Sequence, residues 1–148
     1  MTRIFIVEDH PVMRQSLVAF LKRQEGIDLC GEAATAEVAL REIEKIQPDM
    51  VLIDVSLPGM SGLDLLEQIH HRQPEILCVV LSGHGERSHV DRALLAGARG
   101  YILKGDTDEL ASGLRQIIGG GTYLSDQVQG RVSGSADDDN SASDGSSE

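Results

Sequence analysis

The stretch "MVLIDVSLPGMSG", residues 50–62, decides the fold. Met50 to Ile53 are apolar without a break, the run stops at a single acid, Asp54, and the chain then enters a Pro58-Gly59 turn. An unbroken apolar run of this length between turn signals marks a strand buried on both faces, as in a parallel sheet covered by helices. A carboxylate at the end of such a strand, where the chain turns to the surface, points to a site.

The bulk composition bounds what the site can be. The 148 residues suffice for one domain with a proper core and are too few for two ordinary ones. No apolar run approaches the roughly 18 residues that span a bilayer, and the first residues read as a strand rather than a leader. A cytoplasmic protein without membrane contact is expected. Net charge is -11, and the five acids of residues 137–148 leave 19 acids against 13 bases in the rest, a net of -6. An acidic body argues against nucleic-acid binding by this chain, since that depends on basic patches. Cys30 and Cys78 fall in apolar runs and read as reduced core thiols with no chemistry.

Outward from residue 50, strands and helices alternate. Arg3 to Val7 reads as a strand, and Pro11 suits the first turn of a helix carrying Val12, Met13, Leu17, Phe20 and Leu21 at helical spacing. Ile27 to Ala33 is a second strand, and Thr35 caps a helix with Ala36, Ala39, Leu40, Ile43 and Ile46 on one face, ended by Pro48. After Met50 to Asp54, Ser61 caps a helix through Leu63, Leu66 and Ile69. Ile76 to Ser82 is the fourth strand, Val90, Ala93 and Leu94 line a helix stopping near Gly97, and Gly100 to Leu103 is the fifth strand. A last helix begins at Asp106 or Thr107 and ends at Gly119 to Gly121. The pattern predicts a doubly wound α/β domain, (βα)5 with a parallel five-stranded sheet, and the expected arrangement is the flavodoxin-like order 2-1-3-4-5, one of the two common for such folds.

In such folds function collects beyond the carboxyl ends of the strands. Those ends read Glu8 and Asp9, then Asp54, then Ser82, then Lys104. Each alone is an ordinary turn acid, cap or surface charge. Together, three carboxylates imply either a raised carboxylate pKa or a bound hard cation, for which Mg²⁺ is suited because it takes oxygen ligands, keeps several waters and meets phosphate oxygens. A carboxylate beside a cation, a lysine and a hydroxyl is a phosphoryl acceptor in kind, and Asp54 is placed as its nucleophile.

The stretches "IFIVEDHPVMRQSL", "PDMVLIDVSLPGMSGLDLL", "VVLSGHGE" and "GARGYILKGDTDEL" give the chain a family. Over residues 2–124 it resembles the receiver domain of bacterial two-component response regulators, of the NarL/FixJ (LuxR-type) kind. The resemblance implies that Asp54 accepts a phosphoryl group from a phosphohistidine on a sensor histidine kinase or histidine phosphotransfer protein. It implies that Asp9 binds Mg²⁺ directly, that Glu8 acts through water, and that Asp54 and the backbone carbonyl of Ser56 complete the protein ligands. Lys104 would pair with a phosphate oxygen, Ser82 would move in on another, and Tyr101 would change rotamer with it. Ser56 and His84 occupy positions that modulate hydrolysis in this family, and His84 is expected to cover the phosphoaspartate in part. His10, His70, His71 and His89 have no metal-ligand spacing and receive no chemistry.

Gly105 follows Lys104 where many receivers have proline, and Gly83 follows Ser82 where the family favours alanine. Members of this type carry a helix-turn-helix output domain, but 24 residues follow Leu124, and from Ser133 onward they include six Ser, four Asp and no large apolar side chain. The expected division is a receiver at 1–124 and a linker or disordered acidic tail at 125–148. The chain then acts as a stand-alone receiver through protein contacts, or as the receiver of a transcription factor, and a homodimer is possible in the family. It is not expected to be an enzyme beyond its own phosphorylation and dephosphorylation. A haloacid-dehalogenase-like phosphatase would want an acid at position 56, which is Ser56, and a flavodoxin-like cofactor module would want glycines where "EDHPVM" has acids. A phosphorylation-independent adaptor of the same fold is the alternative.

Overall fold

The computed structural model describes residues 1–83 and 87–125. His84 and the tail from residue 126 lie outside them, so the expectations for both stay at the sequence level. The elements run β1 (Thr2–Val7), α1 (Pro11–Lys22), β2 (Ile27–Ala33), α2 (Ala36–Ile46), β3 (Met50–Asp54), α3 (Gly62–Arg72), β4 (Leu77–Ser82), α4 (Arg87–Leu95), β5 (Gly100–Leu103), α5 (Thr107–Ile118) and β6 (Tyr123–Leu124). The helix starts follow from their caps. Thr35 accepts a hydrogen bond from the Val38 amide, Ser61 from Asp64 and Asp106 from Glu109, so each satisfies an amide the first turn leaves open. Pro11 supplies the first residue of α1 with no side-chain cap before it.

The sheet is parallel in every pairing and ordered β2-β1-β3-β4-β5-β6. The expected order of the first five strands is present, and a sixth is added. β6 was not foreseen because two residues carry no periodicity; it forms because the outer edge of β5 offers open backbone groups. Tyr123 and Leu124 pair with Gly100 and Tyr101, and Ser125 extends the contact, its amide donating to the Tyr101 carbonyl at 3.0 Å and its Oγ accepting from the Leu103 amide at 2.9 Å. Ser125, first residue of the expected tail, is therefore buried against the sheet.

Alternation along each strand sorts the core into two layers. Phe5, Val7, Val51, Ile53, Cys78, Val80 and Tyr101 face α2, α3 and α4 through Ala39, Ile43, Leu66, Ile69, Val90 and Ala93. Ile4, Ile6, Met50, Leu52, Val79, Leu81 and Ile102 face α1 and α5 through Leu17, Phe20, Leu21, Leu110, Leu114 and Ile117. All five residues of β3 are buried, which is why the four before Asp54 are apolar without interruption. Both cysteines are free, and burial pushes the Cys78 thiol up to about 12 and raises Cys30 as well, which disfavours the reactive thiolate. Among the described residues no helix is long and apolar enough to cross a membrane.

Candidate phosphoacceptor site

Register and alternation build the site. Val7 pairs with Ile53, Asp54 with Leu81 and Ser82 with Leu103, so the next residues, Glu8, Asp54, Ser82 and Lys104, emerge together at the carboxyl edge of four neighbouring strands. Continuing the period of two, Glu8, Asp54 and Lys104 share the parity of the layer under α1 and α5, whereas Ser82 shares that of Tyr101 under α3 and α4. Two groups of side chains thus flank one point from opposite faces of the sheet.

The first group is in direct contact. Lys104 Nζ lies 3.0 Å from Glu8 Oε1 and 3.2 Å from Asp54 Oδ1, and the two acids have side chains only 1% exposed. Ser56 donates both its amide and its hydroxyl to Asp54 Oδ1, each at 3.1 Å, closing an Asx-type turn that aims the carboxylate. Asp54 Oδ2 and Asp9 Oδ1 are buried without a hydrogen-bond partner among the described residues. Ser82 and Tyr101 are buried, the latter completely.

Gly62 explains why "SLPGMSG" ends as it does. A Cβ on Gly62 would overlap the Asp54 carbonyl oxygen and stand 2.9 Å from Val55 Cα, so α3 can start this close to the phosphoacceptor candidate only with glycine. Gly105, beside Lys104, takes φ of +106°, a conformation closed to proline, which accounts for the departure from the resembled pattern at that loop.

The charges divide unequally. Burial raises the Glu8 pKa, the neighbouring Asp54 raises it further, and Lys104 offsets this in part, so Glu8 sits above the usual carboxylate range. Burial also opposes the charge on Asp54, but the Ser56 amide, Glu8 and Lys104 outweigh it and hold Asp54 below that range. For Lys104 burial favours the neutral amine, and its contacts with Glu8 and Asp54 more than compensate, raising its pKa. The raised pKa anticipated for a crowded acid falls on Glu8, and Asp54 keeps the negative charge that a nucleophile needs.

One donor atom from each of Glu8, Asp9, His10 and Asp54 belongs to a set lying within 4.8 Å of one another. Three carboxylates, with Asp9 Oδ1 and Asp54 Oδ2 buried and without a hydrogen-bond partner among the described residues, suit a hard, oxygen-seeking dication, and they fit the Mg²⁺ expected from the sequence. Sequence spacing gave His10 no role, yet its Nδ1 stands 3.5 Å from Glu8 Oε2 and 3.5 Å from Asp9 Oδ1. The only signal was its place directly after the two acids.

Residues 4–115 match the sequence model of the response regulator receiver domain. The transcriptional regulatory protein MctR of Rhizobium johnstonii is 35% identical over 127 residues, covering 85% of this chain and 59% of MctR. An uncharacterized transcriptional regulatory protein of Bacillus subtilis, YhcZ, is 38% identical over 130 residues, covering 88% of this chain and 61% of YhcZ. The chain thus spans about three fifths of the length of these curated relatives. Among solved structures, a LuxR-family two-component response regulator from Aurantimonas sp. SI85-9A1 superposes with a TM-score of 0.89 at 27% identity, over 93% of this chain and 99% of that one. The receiver domain of the putative response regulator NarL of Mycobacterium tuberculosis does so with 0.75 at 28% identity, over 80% and 97%. On this sequence match, this fold and this acidic edge, the chain belongs to the response regulator receiver domain family of two-component signalling, and its relatives are regulators of the NarL/LuxR type.

Proposed function

We propose that this receiver domain takes a phosphoryl group onto Asp54 from a phosphohistidine of a sensor histidine kinase or histidine phosphotransfer protein. The observation that carries the reading is the buried Asp54 carboxylate, held charged 3.2 Å from Lys104 with Glu8 and Asp9 converging on it. In the reaction an Asp54 oxygen bonds to phosphorus as the bond from phosphorus to the donor's imidazole nitrogen breaks. Ser56 fixes Asp54 Oδ1 through two hydrogen bonds and so limits the rotation of the nucleophile. Lys104, already within reach of Asp54, neutralises an oxygen of the transferred group. Glu8, Asp9, Asp54 and the Ser56 carbonyl would hold Mg²⁺, whose charge when bound offsets that of the phosphoryl oxygens.

The added group brings about one to two negative charges and three acceptor oxygens. Ser82 lies on the opposite parity from Asp54 and closes on it from the α4 side, and Tyr101, in the same layer, repacks with Ser82 as the readout. Ser56 and His84 set the lifetime of the phosphoaspartate, and the chain catalyses only the gain and loss of its own phosphoryl group. The receiver occupies residues 1–124, works in the cytoplasm, and reaches transcription through a DNA-binding domain or through protein contacts, including a second copy of itself.

Intact mass after incubation with acetyl phosphate and Mg²⁺ tests the reading. A metal-dependent gain of about 80 Da, one phosphoryl group, is expected on the wild type and not on Asp54→Asn. No gain on folded wild type under donor excess would overturn it in favour of a phosphorylation-independent adaptor.

A further inference from the structure

Arg14 lies in the first turn of α1, yet its side chain is only 21% exposed and turns back to the loop that carries two acids of the site. Its Nη1 donates to the Glu8 carbonyl at 2.8 Å, and its Nε donates to Glu32 Oε1, near the end of β2, at 3.1 Å. The Glu8 amide donates to the Ala33 carbonyl at 3.0 Å, so the backbone of Glu8 is held on both sides. The carbonyl that Arg14 takes belongs to the peptide plane joining Glu8 to Asp9. That plane is rigid, so fixing its oxygen fixes the direction in which the chain enters Asp9. Asp9 Oδ1 is buried, and among the described residues no hydrogen bond to that oxygen aims it. Its placement therefore rests on the backbone that Arg14 holds.

Two effects of Arg14 on a cation at Asp9 have opposite signs. A guanidinium is a positive charge beside the acids, and removing it lowers the repulsion that a dication feels. Its hydrogen bonds arrange Asp9 in advance, and outer contacts that orient metal ligands carry about tenfold or more of the affinity. Glu32, an opposite charge 3.1 Å away, offsets the field of Arg14, so orientation outweighs repulsion. We propose that Arg14 is a positioning residue, whose planar fork spans the Glu8 carbonyl and Glu32 and so presets Asp9 for the dication of the phosphoryl-transfer site. A guanidinium can meet two acceptors at fixed angles, whereas an ammonium on a flexible stem is a point charge that cannot replace the fork. The inference rests on the reading of this edge as a Mg²⁺ site, and it adds a residue that acts on the site only through the loop between β1 and α1.

Calorimetric titration of the metal-free full chain with Mg²⁺ tests it on wild type, Arg14→Met and Arg14→Lys, each shown to be folded by far-ultraviolet circular dichroism. Arg14→Met keeps the apolar stem and removes the donors and the charge, and it is expected to weaken Mg²⁺ by about tenfold. Arg14→Lys keeps the charge and loses the fork, and its affinity is expected between the two. Mg²⁺ binding by Arg14→Met at or above wild-type affinity would overturn the inference, because loss of charge alone tightens a cation. Should Arg14→Met fail to fold, Arg14→Lys decides, and wild-type affinity in it would overturn the inference as well. Either result, with Mg²⁺ bound by the wild type, leaves the proposed function standing. A wild type that binds no Mg²⁺ would overturn the inference together with the Mg²⁺ part of that function.

Discussion

Replacing Gly62 by alanine places a methyl group against the carbonyl of Asp54, and the atoms it meets are backbone. The Asp54 carbonyl and Val55 Cα lie at the end of β3, where the Val55 amide is tied to Leu81 at 3.0 Å, so neither side has a flexible end that can move away. Overpacking of this kind costs about 1–3 kcal/mol, and a contact with fixed backbone belongs at the upper end. Against that stands a gain of at most about 1 kcal/mol from replacing glycine in a helix. The net is a loss of about 2 kcal/mol. With a urea m-value of about 2 kcal/mol/M the midpoint should fall by about 1 M at unchanged m, read by far-ultraviolet circular dichroism. Gly83→Ala is the control. A Cβ at Gly83 meets nothing within 4 Å and its φ is not positive, so the same substitution should be neutral or stabilising by up to about 1 kcal/mol. A Gly62→Ala midpoint equal to that of the wild type would refute the claim that the start of α3 is pinned against the Asp54 carbonyl.

The edge contact of Ser125 and the clasp between α3 and α4 give two further tests. Ser125→Ala strips the Leu103 amide of its acceptor and should cost about 1–3 kcal/mol, with faster hydrogen exchange at Leu103 and recovery in Ser125→Thr; unchanged exchange would show that β6 does not hold β5. Arg92 Nη2 donates to Asp64 Oδ1 at 2.6 Å, and this guanidinium, with help from the Ser61 hydroxyl, keeps the Asp64 pKa below its ordinary value of 3.8. A carboxyl lowered by folding stabilises above its ordinary value, and that contribution disappears as the pH falls through the lower folded value. Arg92→Gln should therefore move the Asp64 carboxyl titration, followed by NMR, up toward 3.8, and an unmoved titration would mean that the clasp is absent in solution.

Most of the fold was legible because it rests on local rules. The apolar runs of β3 and β4, the caps Thr35 and Ser61, and the stops at Pro48 and Gly119 are signals within a few residues of where they act, and they recovered five strands and five helices in order. β6 escaped because its stability comes from the open edge of β5, which no property of Tyr123 or Leu124 announces. The candidate site was legible for the complementary reason. In a parallel sheet the strand ends share one edge, so Glu8, Asp9, Asp54, Ser82 and Lys104 could be gathered from the chain without coordinates. The closeness of His10 to Glu8 and Asp9 was not legible, because spacing along a helix is a poor guide at a loop, where three consecutive residues can turn toward one point.

By itself the sequence determined which elements form, in what order, and which side chains stand at their ends, since propensity, capping and alternation are local properties of the chain. Only the tertiary structure decided how those side chains divide their charge and from which face each approaches. Glu8 lies above the usual carboxylate range and Asp54 below it, because burial acts on both while Lys104 and the Ser56 amide act together on Asp54. Lys104 is 50 residues from Asp54 along the chain and 3.2 Å from it in space, and an electrostatic balance set by such distances exists only once the strands have paired.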